Sequence, residues 1–154
     1  MKRINLHSAE TQLDGDEPPH YSSRANRFGK EIGASLLGGT IYDLPAGTSI
    51  CPYHFEYGDE EWLVVLSGSP VVRTPEGEER LEAGDVVCFP RGPEGAHKVG
   101  NPEGETVRVL MVSTLNEPSV AVYPDSDKVG VYAGDYRLIV KADSGVDYFE
   151  GEPG

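Results

Sequence analysis

PYHFEYGDEEWLVVL, residues 52–66, decides how this chain is read. In an extended strand alternate side chains share a face. His54 and Glu56 therefore point one way and Phe55 the other. Glu61 opens a second run in which Leu63 and Val65 share its side, while Trp62, Val64 and Leu66 point outward. Tyr57, Gly58 and Asp59 supply turn chemistry between the two runs, so the expectation is a hairpin that sets Glu61 beside His54 and Glu56. A buried face with two carboxylates and an imidazole is costly unless something neutralises it. A divalent cation does so, with carboxylates offsetting its charge and imidazole supplying nitrogen.

The same grammar continues on both sides. Apolar, strand-like runs occur at residues 34–44, 50–56, 61–66, 70–74, 86–89, 97–99, 106–114, 129–132 and 136–140. Between them stand breakers such as Pro45-Ala46-Gly47, Ser67-Gly68-Ser69, Ala83-Gly84-Asp85 and Pro93-Glu94-Gly95. Short strands with turns at regular spacing predict an all-β antiparallel barrel or sandwich, not a βαβ sheet. No amphipathic helix longer than a turn or two is expected. Residues 1–33 read as an irregular polar arm laid over the barrel. Residues 114–154 read as a C-terminal extension with two strands and a loose acidic tail.

The chain has 154 residues, which suits one domain, 1–154. Its net charge is −13 and no Lys/Arg run stands out, so nucleic acid and anionic membrane surfaces are not expected as partners. No stretch approaches the ~18 apolar residues of a membrane span. With two cysteines, Cys51 and Cys88, a disulfide framework is not expected, and the cytoplasm is the default compartment.

A fourth ligand is expected from outside residues 52–66. His97 opens a short strand with Val99 on its face, and it completes a pattern that resembles the cupin family. The first cupin motif reads G-x5-H-x-H-x3-4-E-x6-G. Here Gly47 is followed by six residues, His54, Phe55, Glu56, four residues, Glu61, six residues and Gly68. The second motif reads G-x5-P-x-G-x2-H-x3-N. Here Gly84, five residues, Pro90, Arg91, Gly92, four residues, His97, three residues and Asn101 follow it. The matching core spans residues 47–101. Glu56 stands where the family has its second His, one extra residue precedes His54, and two precede His97.

The resemblance implies the cupin double-stranded β-helix, a jelly-roll barrel, and a metal held by His54, Glu56, Glu61 and His97. Two imidazoles and two carboxylates suit Fe, Mn or Zn and not Cu(I). It also implies a small-molecule ligand or substrate and a homodimer formed through a barrel sheet, with Trp62, Val64 and Leu66 at the contact. The implied function is a metal-dependent enzyme of isomerase, epimerase or oxygenase type, with Glu56 or Glu61 as proton carrier. The alternative is a non-catalytic sugar- or metabolite-binding module.

Several residues carry secondary expectations. Glu60 rivals Glu61 as ligand, but Glu61 alternates with Leu63 and Val65. Cys51 and Cys88 read as small buried apolar residues, Cys51 facing with Tyr53 away from His54. Among Arg73, Arg91, Lys98 and Arg108, Arg91 is the best placed to meet an anionic substrate, since its loop leads to His97.

Overall fold

A computed structural model describes residues 1–13, 15 and 17–153. Asp14 and Asp16 of the arm and Gly154 of the tail lie outside the described residues. Among the described residues the chain folds into antiparallel strands, with one short α-helix, α1 (Gly29–Ile32), that stops at Gly33 in the left-handed region, φ 95°, and a few single 3-10 turns.

The largest sheet contains β1 (Gln12–Leu13), β2 (Arg24–Arg27), β3 (Leu37–Leu44), β6 (Glu61–Ser67), β9 (Val86–Phe89) and β11 (Val107–Thr114), in the order β1-β2-β3-β11-β6-β9. A second sheet joins β4 (Thr48–Ser49), β10 (Lys98–Asn101), β7 (Val71–Thr74) and β8 (Gly77–Arg80), in that order. A third runs β14 (Tyr136–Lys141), β13 (Lys128–Ala133), β12 (Ser119–Tyr123) and β5 (Phe55–Glu56).

The core lies between the first two sheets. Leu44, Leu63, Val65, Val107 and Val109 are all 1–2% exposed or less, and Val72 and Val99 face them from the second sheet. In β6 the alternation is as the sequence expects: Leu63 and Val65 are buried, while Trp62 remains 49% exposed. β-Branched side chains suit this pleated, half-buried setting. Several turns rely on a glycine in a conformation that other residues rarely adopt. At Gly68, φ is 79°, and a Cβ would stand 2.8 Å from Val107.

Three expectations are corrected. Residues 50–56 do not form one continuous strand. Positions 50–53 are bends around Pro52, His54 makes an isolated bridge to His97, and only Phe55 and Glu56 form β5. Nor do β5 and β6 form a hairpin. β5 pairs with β12 in the third sheet, and β6 pairs with β11 and β9 in the first. Residues 57–60 thus carry the chain from one sheet to another. Finally, the N-terminal arm is not irregular throughout, because β2 pairs with β3 in four-residue register. The segment before it lies over the outer face, held where Arg108 donates to the Leu6 and Ala9 carbonyls and Arg24 to that of Thr11.

Candidate metal centre

His54 and His97 meet because their backbones pair. His54 N–H donates to the His97 carbonyl at 3.1 Å and His97 N–H to that of His54 at 2.8 Å. This bridge stitches the second sheet to the third, and it sets the two imidazole centroids 4.9 Å apart. Both rings are buried, at 8% and 3% exposure.

Each ring is also fixed about its own axis. His54 Nδ1 lies 3.0 Å from the Pro52 carbonyl and His97 Nδ1 2.9 Å from that of Gly95. A carbonyl only accepts, so each Nδ1 carries the proton and each Nε2 keeps its lone pair. This is the outer contact that orients metal-binding histidines. Burial, and then the neighbouring His97, hold His54 below the usual imidazole range, which keeps it neutral and able to ligate. Phe89 stacks on His97 with centroids 3.7 Å apart and planes 7° from parallel. Tyr123 stacks on His54 at 5.8 Å.

Glu61 completes the group. It stands at the head of β6, paired across to Phe89 on one side and Ser113 on the other. Its Oε2 lies 3.3 Å from His97 Nε2. His54, Glu61 and His97 offer ligand atoms that all fall within 4.8 Å of one another. Two imidazoles and one carboxylate fit Fe, Mn or Zn and leave coordination positions open. Glu60 is turned away and accepts from Trp62 Nε1 at 3.2 Å on the outer surface.

Glu56 stands outside this trio. Once the chain has left His54 it follows β12, with Glu56 opposite Ala121. Its carboxyl meets Asp59, whose Oδ1 already accepts from Thr114 Oγ1 and from the Asn116 backbone and side-chain amides. Burial, with the negative charges of Glu61 and Asp59 behind it, pushes Glu56 up to about 8.

The trio opens on a cavity of about 290 Å³. Ile50, Val99 and Met111 give it an apolar wall, and Thr40 and Ser113 add hydroxyls. Cys51 also lines it, with Sγ 3.5 Å from His54 Nδ1. The expected alternation placing Cys51 away from His54 fails because residues 50–53 bend. Burial pushes the Cys51 thiol up, so it stays protonated. Cys88 is not the buried residue the sequence suggests, but is exposed opposite Trp62.

The four cations singled out from sequence are occupied elsewhere or exposed. Arg73 binds Asp125 through two contacts of 2.6 and 2.9 Å and lies over the Tyr53 ring. Arg108 holds Asp43 and the arm. Lys98 lies over Tyr21, and Arg91 is exposed outside the cavity lining. The basic residue that does line the cavity is Arg27, which sequence reading had assigned to the arm.

Asn101, the last residue of the second motif, has a structural task. Fully buried, it donates to the Leu44 and Glu105 carbonyls at 2.9 and 2.8 Å. Gly95, in the two-residue expansion before His97, is equally constrained: a Cβ there would sit 1.7 Å from the Pro90 carbonyl oxygen.

Comparison with known proteins agrees with this fold. Residues 40–113 match the cupin domain model. No curated protein matches the chain. Among solved structures, a sugar phosphate isomerase of the cupin superfamily from Silicibacter pomeroyi superposes with a TM-score of 0.82 at 22% identity, covering 96% of this chain and 98% of that one. A candidate sugar phosphate isomerase from Acidithiobacillus ferrooxidans gives 0.78 at 22%, covering 84% and 82%. The polyketide cyclase RemF from Streptomyces resistomycificus gives 0.62 at 24%, covering 77% and 83%. With both motifs seated on the paired strands and the domain match over residues 40–113, that stretch of the chain is a cupin domain, and the fold around it is the cupin fold.

Proposed function

We propose that this protein is a metal-dependent enzyme acting on a small molecule, by an isomerase or epimerase type of reaction. The observation that carries the reading is the pair of imidazoles whose Nδ1 atoms are tied back to carbonyls while Glu61 joins them on the wall of a cavity. His54, Glu61 and His97 would hold the ion, and a bound divalent ion would supply Lewis-acid polarisation of a substrate oxygen.

The chain's own residues do the rest. Ile50, Val99 and Met111 exclude water from one side of the cavity. Phe89 and Tyr123 keep the imidazole planes in place. Glu56, which sits behind Glu61 with its carboxyl against Asp59 and is pushed toward the protonated form by burial, is the proton carrier we assign there, one remove from the cavity lining.

Two structural relatives described as sugar phosphate isomerases set the first substrates to test. Chelator-treated protein, reconstituted separately with Fe(II), Mn(II) and Zn(II), is mixed with aldose and ketose phosphates and followed by NMR. Interconversion with one metal and none without it supports the reading. Stabilisation by these compounds with no turnover under any metal overturns it in favour of a binding module.

We further place the protein in the cytoplasm as a homodimer. Both cysteines are free, and Trp62, Val64 and Val86 present an apolar outer row that suits a second copy. Sedimentation of wild-type and Trp62→Glu protein tests the dimer; unchanged mass in the variant would count against this face.

A further inference from the structure

We infer that Arg27 anchors the negatively charged end of the substrate, so that the cavity selects small anions, phosphate- or carboxylate-bearing. This rests on the proposed reaction only in taking the cavity as the substrate's site.

The argument starts with β2. Arg24 and Asn26 turn outward to the arm, donating to the Thr11 and Glu10 carbonyls. Alternation therefore turns Ala25 and Arg27 inward. Their cross-strand partners agree, for Ala25 pairs with Tyr42 and Arg27 with Thr40, both on the cavity wall. Among the described residues, Arg27 is the only Lys or Arg lining this cavity.

Its setting makes that placement unusual. The protein carries a net charge of −13, and the same cavity holds Glu61 and Glu17. Arg27 is at the rim, its side chain still in reach of water, with Thr40 and Ser113 hydroxyls nearby on the wall. A guanidinium has five donors in a fork that matches carboxylate and phosphate, so an arriving anion does not require it to be otherwise uncommitted.

The spacing also fits a polar ligand held at two ends. Glu61 is on β6 and Arg27 on β2, separated by β11 and β3. Three strand spacings of ~4.8 Å give about 14 Å around the sheet, shortened by its curvature and by the reach of the Arg side chain. One end of a small molecule would lie at His54, Glu61 and His97, and its anionic end at Arg27. The hydroxyls of Thr40 and Ser113 flank the space between.

The test is calorimetric titration of inorganic phosphate and of malonate into wild-type, Arg27→Gln and Arg27→Lys protein. Each is run at constant ionic strength, metal-free and metal-loaded. Loss of the guanidinium should weaken at least one anion by about tenfold or more, the scale of one charge-assisted bidentate contact. Arg27→Lys should recover part of it, and metal content should not change. Dependence for phosphate alone assigns a phosphate ester, and for malonate alone a carboxylate. Equal affinities in wild type and Arg27→Gln, or no anion binding by wild type, overturns the inference. Wild-type protein that takes up no metal yet binds an anion through Arg27 would remove the metalloenzyme reading and keep this one.

Discussion

Replacing Glu56 with Gln should stabilise the metal-free protein at alkaline pH and leave it nearly unchanged at pH 5. The Glu56 carboxyl is pushed from an ordinary 4.5 to about 8 by burial and by the charges of Glu61 and Asp59. Between those two values the folded chain holds a proton that the unfolded chain has released. Stability therefore falls as pH rises through that window and levels off above about 8. At about 1.4 kcal/mol per pH unit the displacement caps the effect near 5 kcal/mol. Water reaching this half-buried group screens much of it, leaving about 1–2 kcal/mol. Gln keeps the shape and donates an amide N–H toward Asp59, but it never ionises. Urea denaturation of chelator-treated wild-type and Glu56→Gln protein at pH 5, 6.5 and 8.5 reads the difference. The variant's advantage should open across that range. Parallel stability curves, or a wild type that is the more stable at pH 8.5, would refute the reasoning. The same variant separates two roles for Glu56, since a proton-bearing carboxyl outside the trio predicts unchanged metal content, whereas a fourth ligand predicts less.

Gly95→Ala places a Cβ 1.7 Å from the Pro90 carbonyl oxygen, so the turn that orients His97 through the Gly95 carbonyl must shift. It should cost about 1–3 kcal/mol and weaken metal binding about tenfold; metal titration showing wild-type affinity would count against that orienting contact. Leu44→Ala, at the far end of the core and fully buried, should cost about 2–5 kcal/mol in urea with metal content retained. A loss of metal there would mean that the site depends on the whole barrel and not on its local supports.

The legible parts of this fold are those where a strand has one face in the core. Leu63 and Val65 against Trp62 and Val64 announce β6, and the glycines of the two motifs announce the turns around it. β8 leaves no such trace, because all four residues from Gly77 to Arg80 are exposed and the run is polar. β12 was missed although it carries Val120, Ala121 and Val122 and turns directly into its partner β13; its other partner, β5, lies far along the chain.

The site was legible through residue type and motif order more than through strand period. His54, Glu61 and His97 are brought together as their positions suggested. Glu56 and Cys51 depended on alternation along residues 50–56, and that fails where Pro52 and its neighbours bend and the chain changes sheets after His54. Arg27 could not be found locally. Its inward face follows only from the pairing of β2 with β3, which four residues of mixed polarity do not reveal.

The most direct test of the account is elemental analysis of purified, untagged wild-type protein beside His54→Ala/His97→Ala. Circular dichroism would establish that both are folded. The account predicts near-stoichiometric iron, manganese or zinc in the wild type and its loss in the folded double variant. No metal in the wild type after reconstitution, or equal metal in both proteins, would contradict it.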